Sequence, residues 1–91
     1  MPEPRRWTVI LERLPQRVLR RLPRDVRARI DQALLALEED PRPIGCIKIK
    51  GHNNLYRVRE GDWRITYAIE GDELIILIVE ISTRGDAYRN L

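Results

Sequence analysis

LYRVREGDWRITYAIE, residues 55–70, decides the fold class of this chain. Tyr56 and Val58 alternate with Leu55, Arg57 and Arg59, and Trp63, Ile65, Tyr67 and Ile69 alternate with Arg64, Thr66 and Ala68. A side-chain period of two belongs to β-strands, whose successive residues point to opposite faces. Glu60-Gly61-Asp62, standing between the two runs, is the chemistry of a tight hairpin turn. One face of this hairpin must be buried and takes Val58, Ile65, Ile69 and Trp63 or its neighbours. The same period then sends Arg57, Arg59 and Arg64 to the opposite face together.

Downstream, Gly71-Asp72 turns into LIILIV (74–79), an unbroken apolar run expected of a central strand buried on both faces. The tail from Ser82 to Leu91 carries Arg84, Tyr88 and Arg89. Arg84 leaves the end of that strand and can return to the arginine face. Upstream, Ile47 and Ile49 alternate with Lys48 and Lys50 ahead of a Gly51-His52-Asn53-Asn54 turn. Before Gly45 the period is that of a helix. Val18, Leu19 and Leu22 follow Pro15, and Val26, Ile30, Ala33, Leu34 and Leu37 follow Pro23. Both prolines fit a first helical turn, and Asp40-Pro41-Arg42-Pro43 stops the second helix. Trp7, Val9 and Leu11 give one face of a short N-terminal strand. The expected architecture is α+β. An N-terminal strand and a helical hairpin pack on one face of a mostly antiparallel sheet of about four to five strands, in one domain over residues 1–91.

Composition narrows the class further. The chain has 91 residues, 43% hydrophobic and 34% charged, which is the balance of a folded globular domain. No apolar run approaches the roughly 20 residues that span a bilayer. MPEPRRW lacks the apolar block of a secretory signal. The one cysteine, Cys46, can form no internal disulfide. The cytoplasm is the expected location. Lys and Arg number 17 against 14 Asp and Glu, a mild excess of +3, but Lys48 and Lys50 are the only lysines. Arginine donates two parallel hydrogen bonds from a planar fork and is the better phosphate clamp. Arg13, Arg17, Arg20, Arg21, Arg24, Arg27 and Arg29 fall mostly on outer helix faces and read as a solvated surface.

The arginines of the sheet read differently. Several guanidinium groups on one face repel one another unless carboxylates or a polyanion answer them. Glu60, Asp62, Glu70, Glu80 and Asp86 are the candidate internal partners, and surface ion pairs with them are the alternative to phosphate recognition. One His and one Cys do not make a metal cage of ordinary spacing, so no metal is expected. His52 reads as a loop residue and Cys46 as a small buried one. The nucleotide-binding glycine motifs are absent.

KIKG (48–51), LYRVREGDWRITY (55–67) and RGDAYR (84–89), with DPRPIG (40–45) after the second helix, resemble the RelE-type toxins of bacterial toxin–antitoxin pairs. The resemblance spans nearly the whole chain. It implies a RelE-like fold and a metal-independent, cofactor-free endonuclease that cuts mRNA on the translating ribosome, silenced by a cognate antitoxin. Arg57, Arg59, Arg64, Arg84 and Tyr88 fall at the positions where such toxins keep catalytic residues. Two of these, Arg57 and Arg59, are lysine in the best-studied members. Arginine shuttles protons poorly, so they are expected as phosphate clamps. Lys48, Lys50 and Arg89 are expected to hold RNA, including ribosomal RNA. Tyr88 is expected to transfer a proton or stack on a base. The expected partners are an antitoxin segment in an apolar groove, mRNA and the ribosome, with operator DNA reached only through the antitoxin. The rival readings are a ParE-type inhibitor of DNA gyrase and an inactive antitoxin-binding homologue.

Overall fold

The computed structural model describes residues 6–83. It places β1 (Thr8–Leu11), α1 (Arg13–Arg21), α2 (Arg24–Glu39), β2 (Ile47–Lys48), β3 (Leu55–Glu60), β4 (Trp63–Glu70) and β5 (Ile75–Thr83) in that order. The strands form one sheet in the order β1-β5-β4-β3-β2. β1 runs parallel to β5 and every other pairing is antiparallel. The sheet is therefore mixed, and its parallel pair sets the first strand beside the last, with both helices and the other three strands between them along the chain.

α1 begins two residues before Pro15, which is buried in its first turn. The first backbone N–H groups of a helix have no intrahelical partner, so the proline costs no hydrogen bond there. α2 ends at Glu39 because Asp40, pressed by Pro41, turns to extended backbone at φ −143°. Only Leu22 and Pro23 separate the helices. They dock individually on the sheet, α1 along β5 and α2 across β1 and β3, so the expected hairpin is held by the sheet more than by contact between its arms.

Ile30, Leu34 and Leu37 of α2 meet Tyr56, Val58, Ile65, Tyr67, Ile69, Ile76, Ile78 and Ile81 in one core. Burying each such aliphatic side chain is worth about 1.5–3 kcal/mol. Trp7, Val9, Leu11, Val18, Leu19 and Leu22 close its margin, on the faces their spacing predicted. The hairpin turn is the two residues Gly61-Asp62, with Glu60 paired to Trp63. Gly61 has φ +60° and Asp62 does not share that sign, the pattern of a type II′ turn.

Two expectations about the last strand change. Leu74 belongs to the preceding turn, at φ +55°, and β5 starts at Ile75. β5 is an interior strand, but the middle of the sheet is β4, and Ile75 and Leu77 are only half-buried on the face away from the helices. Thr66 pairs with Glu80 while Tyr67 pairs with Ile78, so Val79 is an extra residue, a β-bulge. Ile76 and Ile78 enter the core before it and Ile81 after it. The bulge switches the parity of the strand and brings Glu80 and Ser82 to the face opposite the helices.

Candidate active site

The strand registers lay the open face out as a grid. Ile47, Arg57, Thr66 and Glu80 stand in one row across β2, β3, β4 and β5. Arg59, Arg64 and Ser82 stand in the next. Arg57, Arg59 and Arg64 thus share one face, as their spacing predicted. Directly opposed side chains in such a ladder lie about 5 Å apart at Cβ, and diagonal ones about 7–8 Å. Arg59 is exposed, whereas Arg57 and Arg64 are half-buried.

Among the described residues the ion pairs are Arg6–Glu39 at 3.4 Å and Arg27–Asp31 at 3.9 Å, and neither involves this face. Among the described residues, none of the carboxylates proposed to neutralise it forms an ion pair with it. Glu60 stands across from Trp63 on the helix side, Asp62 is in the turn, and Glu70, at the far end of β4, accepts a hydrogen bond from Asn54. Glu80 shares the face without pairing to any arginine within 4 Å among the described residues. Asp86 lies outside the described residues. The Arg57 Nε, the Thr66 hydroxyl and the Ser82 hydroxyl are all buried without a hydrogen-bond partner among the described residues. Thr66 and Ser82 are 6% and 4% exposed. Buried polar atoms are nearly always paired, so three orphans on one face mark a place that the fold leaves unfinished. Neither hydroxyl was singled out from the sequence, where Thr66 reads only as the polar half of an alternation.

Arg84, Tyr88 and Arg89 lie outside the described residues. The two lysines do not join the arginines. Lys48 pairs with Tyr56, a helix-side residue, so the period of two places it on the other face of the sheet edge. Lys50 follows it into the turn, and both line a shallow depression with Ile49, Gly51, His52 and Asn53. His52 is exposed, and Cys46 is half-buried against the core. No group of three or more His, Cys, Asp or Glu side chains is placed to hold a metal ion among the described residues.

A second polar group, absent from the sequence reading, lies on the helix side. The Arg42 Nε donates to the Tyr56 hydroxyl at 3.3 Å, with the guanidinium 5.1 Å from the centre of that ring. Tyr56 stacks on Tyr67 at 6.1 Å between centroids, and the Tyr67 hydroxyl donates to the Pro41 carbonyl at 2.7 Å. The Tyr56 hydrogen bond raises the pKa of Arg42. Burial, then hydrogen bonding with Cys46, pushes the Tyr67 phenol far above its ordinary range, so it stays protonated and is no base. This group fastens the loop after α2 to the sheet. In the sequence its DPRP signal reads as a helix stop and as part of the family resemblance, not as a clasp.

Five strands with two helices on one face are shared with known proteins. A family profile described as "ParE toxin of type II toxin-antitoxin system, parDE" matches residues 9–88. The candidate toxin RelE1 of Methanocaldococcus jannaschii is 33% identical over 75 residues, 79% of this chain and 83% of that one. A chain of the archaeal RelE–RelB complex from Pyrococcus horikoshii superposes with a TM-score of 0.77 at 28% identity, covering 87% of this chain and 96% of its own. The intact Escherichia coli RelBE toxin–antitoxin complex gives 0.74 at 18% identity, over 85% and 95%, a likeness of fold. The chain belongs to the RelE/ParE family of toxins of type II toxin–antitoxin systems.

Proposed function

We propose that this toxin is an endoribonuclease that cuts mRNA on the translating ribosome. The observation that carries the reading is the open face: Arg57, Arg59 and Arg64 stand together there, with no carboxylate within ion-pair reach among the described residues. RNA brings its own nucleophile, the 2′-hydroxyl, so the protein has to align it with the adjacent phosphate and stabilise the extra negative charge. Arg57 and Arg59 clamp the backbone and Arg64 meets the developing charge. Arg84 shares that charge and Tyr88 transfers a proton or stacks on a base, by the family resemblance. Lys48, Lys50 and Arg89 hold ribosomal RNA, the two lysines from the far side of the sheet edge. The chemistry uses neither metal nor cofactor.

The relatives crystallised with RelB antitoxins support a cognate antitoxin for this chain too. Ile10 on the outer strand β1 and Leu14 on α1 are exposed apolar residues suited to an amphipathic segment. Through such an antitoxin the pair would reach operator DNA. The protein works in the cytoplasm. No described helix is long and apolar enough to cross a membrane.

The family profile is described for ParE, and this favours a second reading, inhibition of DNA gyrase. Translation of a defined message and supercoiling by purified gyrase, run side by side with the toxin freed from its antitoxin, separate the two. Loss of intact message with gyrase untouched supports the nuclease. Arrest of gyrase with message intact replaces it with the second reading.

A further inference from the structure

The open face has phosphate clamps but, in its three arginines, nothing that takes a proton at neutral pH. We propose that Glu80 is the general base of this nuclease, removing the proton from the attacking 2′-hydroxyl. The inference rests on the nuclease reading and deepens it.

The bulge is the first support. Had β5 kept its alternation past Ile76 and Ile78, Glu80 would point into the core. The extra residue Val79 instead sets it opposite Thr66 on the arginine face. Bulges re-aim side chains in this way beside functional sites. The second support is the surroundings. Glu80, Thr66, Arg64 and Ser82 occupy the corners of one quadrilateral, with the two charges on one diagonal and the two hydroxyls on the other. Both hydroxyls are more than nine-tenths buried and have no hydrogen-bond partner among the described residues, a rare state for buried polar groups that marks this quadrilateral as a special place on the sheet. The third is Glu80 itself. It is half-buried and pairs with no arginine within 4 Å among the described residues, although Arg57, Arg59 and Arg64 share its side of the sheet, where the other strand carboxylate, Glu70, stands at the far end of β4. A carboxylate placed only to neutralise them would be paired.

In the step itself, the Glu80 carboxylate takes the proton of the 2′-hydroxyl, and the oxygen's electron pair forms the new bond to phosphorus. The bond from phosphorus to the 5′-oxygen breaks, leaving a 2′,3′-cyclic phosphate, and the 5′-oxygen takes its proton from solvent water. Arg64 faces the non-bridging oxygens as their charge grows.

The test is single-turnover cleavage of ribosome-bound message by the full chain and by E80Q and E80D across pH, with RNA affinity and the thermal transition measured in parallel. E80Q should cut about 10²–10⁴-fold more slowly, the usual worth of a general base. It should also bind RNA as tightly as the parent or tighter, and lose the rise in rate with pH on the acid side. E80D, keeping a carboxylate, should retain that rise at an intermediate rate, and it carries the test if E80Q loses its thermal transition. A cutting wild type with an E80Q rate within about threefold, or with an unchanged acid limb, overturns the role of Glu80 alone. A wild type that does not cut overturns the nuclease reading with it.

Discussion

Tyr67 shows how one side chain joins two parts of the molecule. It is fully buried in the middle strand, yet its hydroxyl reaches the carbonyl of Pro41 at 2.7 Å, in the loop that follows α2. Tyr67→Phe keeps the ring and removes the donor, so it should destabilise the fold by about 1 kcal/mol, more if the carbonyl finds no water. The same residue predicts a pH effect with a definite sign. Its phenol is pushed up by burial, so the folded chain holds this proton more tightly than the unfolded chain, whose tyrosines ionise near about 10. Its contribution is complete below that pH and is lost as pH rises above it. Chemical unfolding at pH 9, 10 and 11 should show the wild type losing stability faster than Tyr67→Phe, by up to about 1.4 kcal/mol per pH unit. Parallel slopes would contradict this.

At the scale of the element, the β3–β4 hairpin depends on a backbone conformation that only glycine adopts freely. Gly61 has φ +60°, and a Cβ built there meets nothing within 4 Å. Gly61→Ala should therefore cost about 1–2 kcal/mol through backbone conformation alone. Gly71→Ala, equally open but without a positive φ, should be neutral or slightly stabilising. Urea midpoints of the two variants decide this, and equal shifts would refute the turn assignment. The hairpin was legible in the sequence because large apolar residues recur at every second position on either side of Glu60-Gly61-Asp62. β5 was legible as a strand but not in detail. LIILIV is apolar at every position, so a parity switch at Val79 leaves no trace in the pattern. That switch decides where Glu80 and Ser82 point, so the arginine half of the site could be read and the carboxylate and hydroxyl half could not. The face of Lys48 was not legible for a related reason: β2 is two residues long, and only its register with Arg57 and Tyr56 reveals its faces.

At the scale of the whole molecule, a net charge of only +3 conceals a strong asymmetry. One side of the sheet is sealed by α1 and α2, and the other gathers Arg57, Arg59 and Arg64. Binding to single-stranded RNA should weaken with salt, and Arg57→Ala and Arg59→Ala should each lower the slope of log affinity against log salt by about 0.7, the share of one phosphate contact. Fluorescence titrations from 50 to 300 mM salt (roughly a 2.5-fold range in Debye length) measure this, and unchanged slopes would remove both residues from the RNA. The central claim, cleavage of message on the ribosome by this face, is tested most directly by primer extension. The template is an mRNA programmed into purified ribosomes, with the toxin, with Arg64→Ala and on free mRNA. The account predicts cuts at a fixed place in the ribosome-bound codon, weakened by orders of magnitude in Arg64→Ala and absent on free mRNA. Undiminished cutting by Arg64→Ala, or no cutting by the toxin on the ribosome, would contradict it.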